Sequence, residues 1–314
     1  MLTSRSIARV VGVVLCATAV DALASYPDRR SVLGGVVGLG VVPPANAAVG
    51  PAKRLSDGVS FPLVSFGLQI YDDERARKYT LTALECGYRN FFASVLAGNQ
   101  RGFGRAIRES GIPREDIFVC GSVLSNRARG FDAALRATAR GCDENVAALG
   151  VGPLDMIMLD YPGPDAESIR GQWQGLEEMK KAGGVRSLAV SNFSPQQLDV
   201  VIKDDGKPSV NQLPFGVGYK PETNRRLLEE NTKRGVFVQA WSPLRVVGPT
   251  AKAECAQVGQ AYGKSPQQVA LKWILQKGAS FTTQTTSKAH FLENIDIFDF
   301  TLSDADVARL DAAS

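Results

Sequence analysis

Eight short apolar runs, alternating with longer amphipathic stretches, govern what this chain can fold into. The runs are Val64–Leu68, Arg89–Ala93, Ile117–Ser122, Asp155–Leu159, Val185–Val190, Ser209–Gln212, Val236–Ala240 and Ser280–Thr283. Helical periodicity lies between them at Glu74–Glu85, Phe131–Leu149, Ser168–Lys181, Pro195–Ile202, Glu222–Lys233 and Pro266–Gln276. Strands separated by helices need crossover connections, and crossovers produce parallel sheets. Eight such units predict an α/β chain closed as a (β/α)8 TIM barrel. Alternation alone also fits an open doubly wound sheet. No G-x-G-x-x-G follows the first strand, however, which counts against a dinucleotide-binding domain of that kind. Leu55-Ser56-Asp57-Gly58 ahead of Phe61-Pro62 reads as the turn of a short N-terminal hairpin that plugs the barrel floor.

The first 47 residues do not continue the pattern. Arg5 and Arg9 precede an apolar run from Val10 to Val20, and Ala22-Leu23-Ala24 supplies small residues after it. That is the build of a signal peptide, over residues 1–24. A second pattern follows over 25–47: Arg29-Arg30, an apolar Gly-rich run from Val32 to Val42, and Ala45-Asn46-Ala47. Neither run reaches the roughly 18 apolar residues of a spanning helix. Two stacked signals fit a precursor that crosses more than one membrane, and the second resembles twin-arginine thylakoid-lumen signals. The expected location is therefore a plastid thylakoid lumen, reached through a transit peptide, with a bacterial periplasm as the alternative. The expected mature protein is one barrel domain over 48–314, not membrane-spanning.

Of the formal charge of +4, the leader carries half, with four Arg and two Asp. The remainder lacks the concentrated basic face of a nucleic-acid partner. Cys16, Cys86, Cys120, Cys142 and Cys255 show no CxxC spacing and read as buried hydrophobes, not as a metal site. His290 is the single histidine of the chain.

Seven strings in order resemble the aldo-keto reductase family. They are Gly87-Tyr88-Arg89, Arg114 to Val119, Leu154 to Leu159, Ser191-Asn192-Phe193, Val210-Asn211-Gln212, Trp241-Ser242-Pro243-Leu244, and Glu293-Asn294 with Ile297-Phe298-Asp299-Phe300. The resemblance implies an aldo-keto-reductase-like barrel and, in an ordinary member, carbonyl reduction by hydride transfer from NAD(P)H. It implies a tyrosine proton donor, a lysine–aspartate pair that tunes it, and a histidine that orients the carbonyl. Proton donation of this kind contributes about 10²–10⁴ in rate. The matching positions hold Phe92 for the aspartate, Ala97 for the tyrosine, Ser122 for the lysine and Asp160 for the histidine. The catalytic set is thus expected to be absent. Asp160, with Ser122, Asn99 and Gln100 at the same mouth, is the alternative source of an unorthodox acid, since an apolar surrounding raises a carboxyl pKa.

By resemblance, Ser191, Asn192 and Gln212 would meet a nicotinamide carboxamide, and Trp241 would stack on its ring. Ser242 and Leu244 follow on the same segment, and Glu293 and Asn294 match adenine contacts. The 2′-phosphate clamp falls on Gln284, Thr285 and His290, where the family has a lysine, a serine and an arginine. Two lost cations, each worth roughly 1.5–3 kcal/mol as charge-assisted contacts, penalise NADPH. NADH, or no cofactor, is the expected state. The preferred reading is a non-catalytic pseudoenzyme acting as a binding, scaffold or regulatory barrel; the family has such a precedent in the modifier subunit of glutamate–cysteine ligase. Its partner would be a lumen protein, or a small molecule in the barrel mouth. The competing reading is an active nicotinamide-dependent oxidoreductase of small carbonyl compounds, with Asp160 as proton donor.

Overall fold

The computed structural model describes residues 50–203, 206–245 and 248–313. Both targeting-like segments, 1–24 and 25–47, and Cys16 lie outside them. Two short strands, β1 (Ala52–Arg54) and β2 (Ser60–Pro62), pair antiparallel around the turn expected at Leu55–Gly58. Eight more strands follow: β3 (Val64–Gly67), β4 (Asn90–Phe92), β5 (Phe118–Val123), β6 (Leu154–Leu159), β7 (Val185–Ser191), β8 (Val210–Pro214), β9 (Phe237–Trp241) and β10 (Ser280–Thr283). They form a closed barrel in the order β10-β3-β4-β5-β6-β7-β8-β9, every pairing parallel. Closure removes the open-sheet alternative.

Side chains alternate across each strand, so the barrel has two apolar layers. Outward residues such as Phe66, Phe91, Val119, Ile157, Val190, Val238 and Phe281 pack in one cluster with the helices. The inward set, Phe92, Phe118, Cys120, Met156, Met158, Ala189 and Val210, forms a separate cluster with Leu55, Val59 and Phe61 of the hairpin. The four cysteines within the described residues are free and buried.

Several helices start where the chain supplies caps. Before α5 (Pro195–Ile202) and α8 (Pro266–Gln276), Ser194 and Ser265 each form a capping box with Gln197 and Gln268, with Pro in the first turn. Asp72 and Asp165 cap α1 (Asp73–Glu85) and α4 (Ala166–Lys181) through their carboxylates. The remaining long helices are α2 (Gln100–Glu109), α3 (Phe131–Leu149), α6 (Pro221–Lys233) and α7 (Pro249–Tyr262); α9 (Lys288–Ile295) and α10 (Asp304–Asp311) close the chain. Helix α2 carries two glycines for a steric reason. A Cβ on Gly102 would collide with the Asp73 carbonyl, and one on Gly104 with that of Leu149. No helix within the described residues is long and apolar enough to cross a membrane.

The hairpin seals the floor. Phe61 stands edge-on to Phe118, ring centroids 5.1 Å apart, and to Phe237 at 6.2 Å. The Asp57 carboxylate accepts from the hydroxyls of Ser187 and Ser209, each at 2.6 Å, and from the Val59 N–H at 3.1 Å. Burial pushes the Asp57 pKa up, but these three donors and Lys180 outweigh it, and the net shift is downward. Asp57→Ala strands two inward hydroxyls and is expected to lower stability by about 2–4 kcal/mol at pH 7 in urea unfolding. Because the folded pKa is depressed, Asp57 contributes above the unfolded carboxyl pKa of about 4 and loses its effect as pH falls below it. The two proteins should converge in acid.

Candidate ligand site at the barrel mouth

The C-terminal strand ends meet at the face opposite the hairpin, where barrels of this kind place their chemistry. On β4 the inward residue Phe92 belongs to the apolar interior cluster. Two residues on, Ser94 caps a 3₁₀ turn, Val95–Ala97, which Gly98 ends in the left-handed conformation at φ 64°. Ala97 sits half-buried at the end of that turn. Ser122, inward on β5, accepts from the Val95 N–H at 2.9 Å, tying the turn to the barrel.

Asp160 follows β6, its N–H donating to Val123 O at 2.9 Å. Its side chain is turned inward and the residue is 7% exposed. The Ser94 hydroxyl donates to Asp160 Oδ2 at 3.4 Å, a long bond, and no other side chain within the described residues bonds the carboxylate. Within the described residues no Lys, Arg or His pairs with it. Burial pushes the carboxyl pKa up to about 6, with only the Ser94 hydrogen bond acting against it. The neighbouring Tyr161 hydroxyl is raised too, by burial and then by Asp160.

The polar residues beside Asp160 are bonded to one another. Asn192 Nδ2 donates to the Asp160 carbonyl at 3.2 Å and to Ser191 Oγ at 3.0 Å, while Asn192 Oδ1 accepts from Trp241 Nε1 at 3.2 Å. Ser191 Oγ donates to Gln212 O at 3.1 Å, and Gln212 Nε2 to Gln239 Oε1 at 2.8 Å. Asn192 (φ 64°) and Ser242 (φ 50°) are the two non-glycine residues with positive φ within the described residues, and they end β7 and β9. Strained backbone of this kind concentrates at functional sites. Leu244 packs against the outer core.

At the head of β10, Gln284 Nε2 donates to Gln69 Oε1 at 2.6 Å, and Thr285 Oγ1 lies 3.4 Å from His290 Nδ1. These three positions hold no permanent cation, and nearby Lys288 pairs with Glu85 at 3.1 Å. Asn294 is buried against Tyr88 and Glu293 is half-buried.

One expectation is corrected. Asn99 does not face the mouth with Asp160; its amide donates to Leu68 O and Tyr71 O at 2.6 and 2.8 Å, pinning the loop after β3. The left-handed turn at Gly98 redirects the chain and carries it away. Gln100 is buried at the start of α2. Ser94, Gln69 and Gln239, absent from the sequence-based set, do belong to it. Ser94 had a usable signal, since it lies two residues beyond Phe92 and therefore on the same inward face. The Tyr71 hydroxyl donates to Thr285 O at 3.0 Å. No group of three or more His, Cys, Asp or Glu that could hold a metal occurs within the described residues.

The comparisons with known proteins agree with one another. The profile of the Aldo/keto reductase family matches residues 63–314. An aldo-keto reductase of Mycolicibacterium smegmatis is 32% identical over 261 residues, 83% of this chain and 92% of the relative. A glyoxal reductase of Bacillus subtilis is 32% identical over 264 residues, 82% of this chain and 91% of the relative. The crystal structure of an aldo/keto reductase from Brucella melitensis superposes with a TM-score of 0.75 at 27% identity, over 84% of this chain and 99% of that one.

A carboxyl whose folded pKa lies above its unfolded value opposes folding once it ionises. The contribution of Asp160 to stability should therefore drop as pH rises from about 4 through about 6. Asp160→Asn should abolish that drop. Unfolding midpoints are expected to coincide near pH 4 and to favour the variant at pH 8, by up to about 3 kcal/mol.

Proposed function

Because the chain belongs to the aldo/keto reductase family, we propose that it keeps the family barrel without its chemistry and works by binding, as a scaffold or regulatory subunit. The observation that carries this reading is Phe92. The position matched to the family's aspartate is part of the apolar interior, so a lysine at position 122 would lack its carboxylate and a tyrosine at position 97 its tuned neighbour. Ser122 is engaged in holding the Val95 turn, and Ala97 has no proton to give. A general acid and an oxyanion donor each contribute several powers of ten to a carbonyl reduction, and neither role has a replacement with the right partners.

The nucleotide positions point the same way. Ser191, Asn192 and Gln212, with Trp241 and Gln239, are already bonded into one network, so a nicotinamide carboxamide would compete with those bonds by our reading. Without cations at Gln284, Thr285 and His290, NADPH loses its advantage over NADH by our reading. We further propose that segments 1–24 and 25–47 address the protein to a thylakoid lumen. Reduced nicotinamide is not expected to abound there, and selection for a reductase site would relax.

A second reading, an active oxidoreductase with Asp160 as acid, is favoured by one feature: the pKa of about 6 suits a proton donor. The two readings separate in one experiment. NADPH and NADH are titrated by tryptophan fluorescence, and glyoxal and a panel of aldehydes are then offered. Expected are no saturable binding at millimolar nucleotide and no turnover. Saturable NADH binding with carbonyl turnover abolished by Asp160→Asn would establish the second reading instead.

A further inference from the structure

The polar groups of the mouth leave one account open. Asn192, Ser191, Gln212, Gln239 and Trp241 bond among themselves, whereas the Asp160 carboxylate receives only the long bond from Ser94. Asp160 Oδ1 has no partner within the described residues. A buried carboxylate is retained where something neutralises it, by a proton or by a positive charge, because unpaired ionic burial is costly. The groups that face it are Ser94 from the end of β4, Cys120 and Ser122 from β5, Tyr161 beside it, and Asn192 from β7 against its carbonyl. None of them is a cation. Within the described residues the ionised carboxylate therefore has no positive partner.

The surroundings narrow the class of such a partner. Below Asp160 the barrel is filled by Phe92 and the other apolar residues of the interior. Trp241 joins the same mouth through Asn192, one side chain away. At the rim, Leu96 on the turn tied down by Ser122 is 63% exposed, and Tyr161 is 40% exposed. A hydrated metal ion would find one carboxylate and apolar walls, a poor set of oxygen ligands. An ammonium group on an apolar body finds a counter-ion in Asp160 and exposed apolar surface to cover at Leu96 and Tyr161.

We propose that the barrel mouth binds a small organic cation, an amine with an apolar body, with Asp160 as its counter-ion. The inference rests on the reading that this barrel binds instead of catalysing, and it supplies the ligand class. It also gives the site a proton-controlled release: protonation of Asp160 removes the counter-charge, so the amine leaves as the compartment acidifies.

The test uses the purified protein and three probes of one shape, namely benzylammonium, neutral benzyl alcohol and anionic benzoate, followed by calorimetry and tryptophan fluorescence. At pH 8 benzylammonium is expected to bind at least about tenfold more tightly than benzyl alcohol, and benzoate not at all. Benzylammonium stays protonated from pH 8 to pH 5, and its affinity should fall about tenfold over that range as Asp160 takes up its proton. Asp160→Asn, with its fold checked by circular dichroism, should level the two affinities and flatten the pH profile. Equal binding of benzylammonium and benzyl alcohol by the wild type would overturn the proposal, as would no benzylammonium binding at millimolar concentration. Both results are read without any variant. Aldehyde turnover with NADH would overturn the non-catalytic reading instead, and the charge preference among the three probes would still decide the cation site.

Discussion

The rest of this structure depends on the pairing of β10 with β3, which joins strands more than two hundred residues apart and closes the barrel through Phe281 and Val64, Thr282 and Ser65, and Thr283 and Phe66. Closure turns alternation into a partition: every second side chain of eight strands goes to one enclosed interior and the others go under the helices. An eight-stranded interior is just wide enough for side chains to fill it. Here β4 to β8 fill it with Phe92, Phe118, Cys120, Met156, Met158 and Val210, and the hairpin adds Phe61 from below. Asp160 ends the same inward column as Met156 and Met158. The raised pKa of that carboxyl and its want of a charged partner within the described residues both follow from where closure puts it.

The strand framework was legible because buried parallel strands are apolar throughout, and each of the eight runs lies within a residue or so of an observed strand. The helices that read well are those with punctuation, such as Ser194-Pro195 and Ser265-Pro266. Helix α2 reads poorly from Gln100-Arg101-Gly102-Phe103-Gly104, because two glycines in ten residues argue against a helix until the carbonyls of Asp73 and Leu149 are seen against them. Helix α7 has little apolar periodicity and begins after Gly248 with no side-chain cap. Local signals cannot report a tertiary approach.

At the mouth, residues identified by string matching fell together: Ser191, Asn192, Gln212 and Trp241 form one bonded group with Asp160. What matching could not supply was the pairing within that group, or its supporting cast. Trp241 reaches Asn192 because an indole has an N–H where a phenyl ring has none, and Gln239 becomes Gln212's partner because their strands lie in register. Asn99 shows the opposite failure. It is close to Ala97 in sequence, yet a single left-handed glycine, Gly98, turns it beneath the loop after β3. Spacing carries a side chain's position only while the backbone stays regular.

The hairpin has a kinetic meaning as well as a structural one. With Phe61 set against Phe118 and Phe237, and Asp57 tied to Ser187 and Ser209, one end of the barrel is shut, so Asp160 is approached from the rim and not from the floor. A pore would let occupants pass through. A closed-bottomed cup makes arrival and departure share one doorway, and any macromolecule resting on Leu96 and Tyr161 would lengthen residence time as surely as it slowed admission.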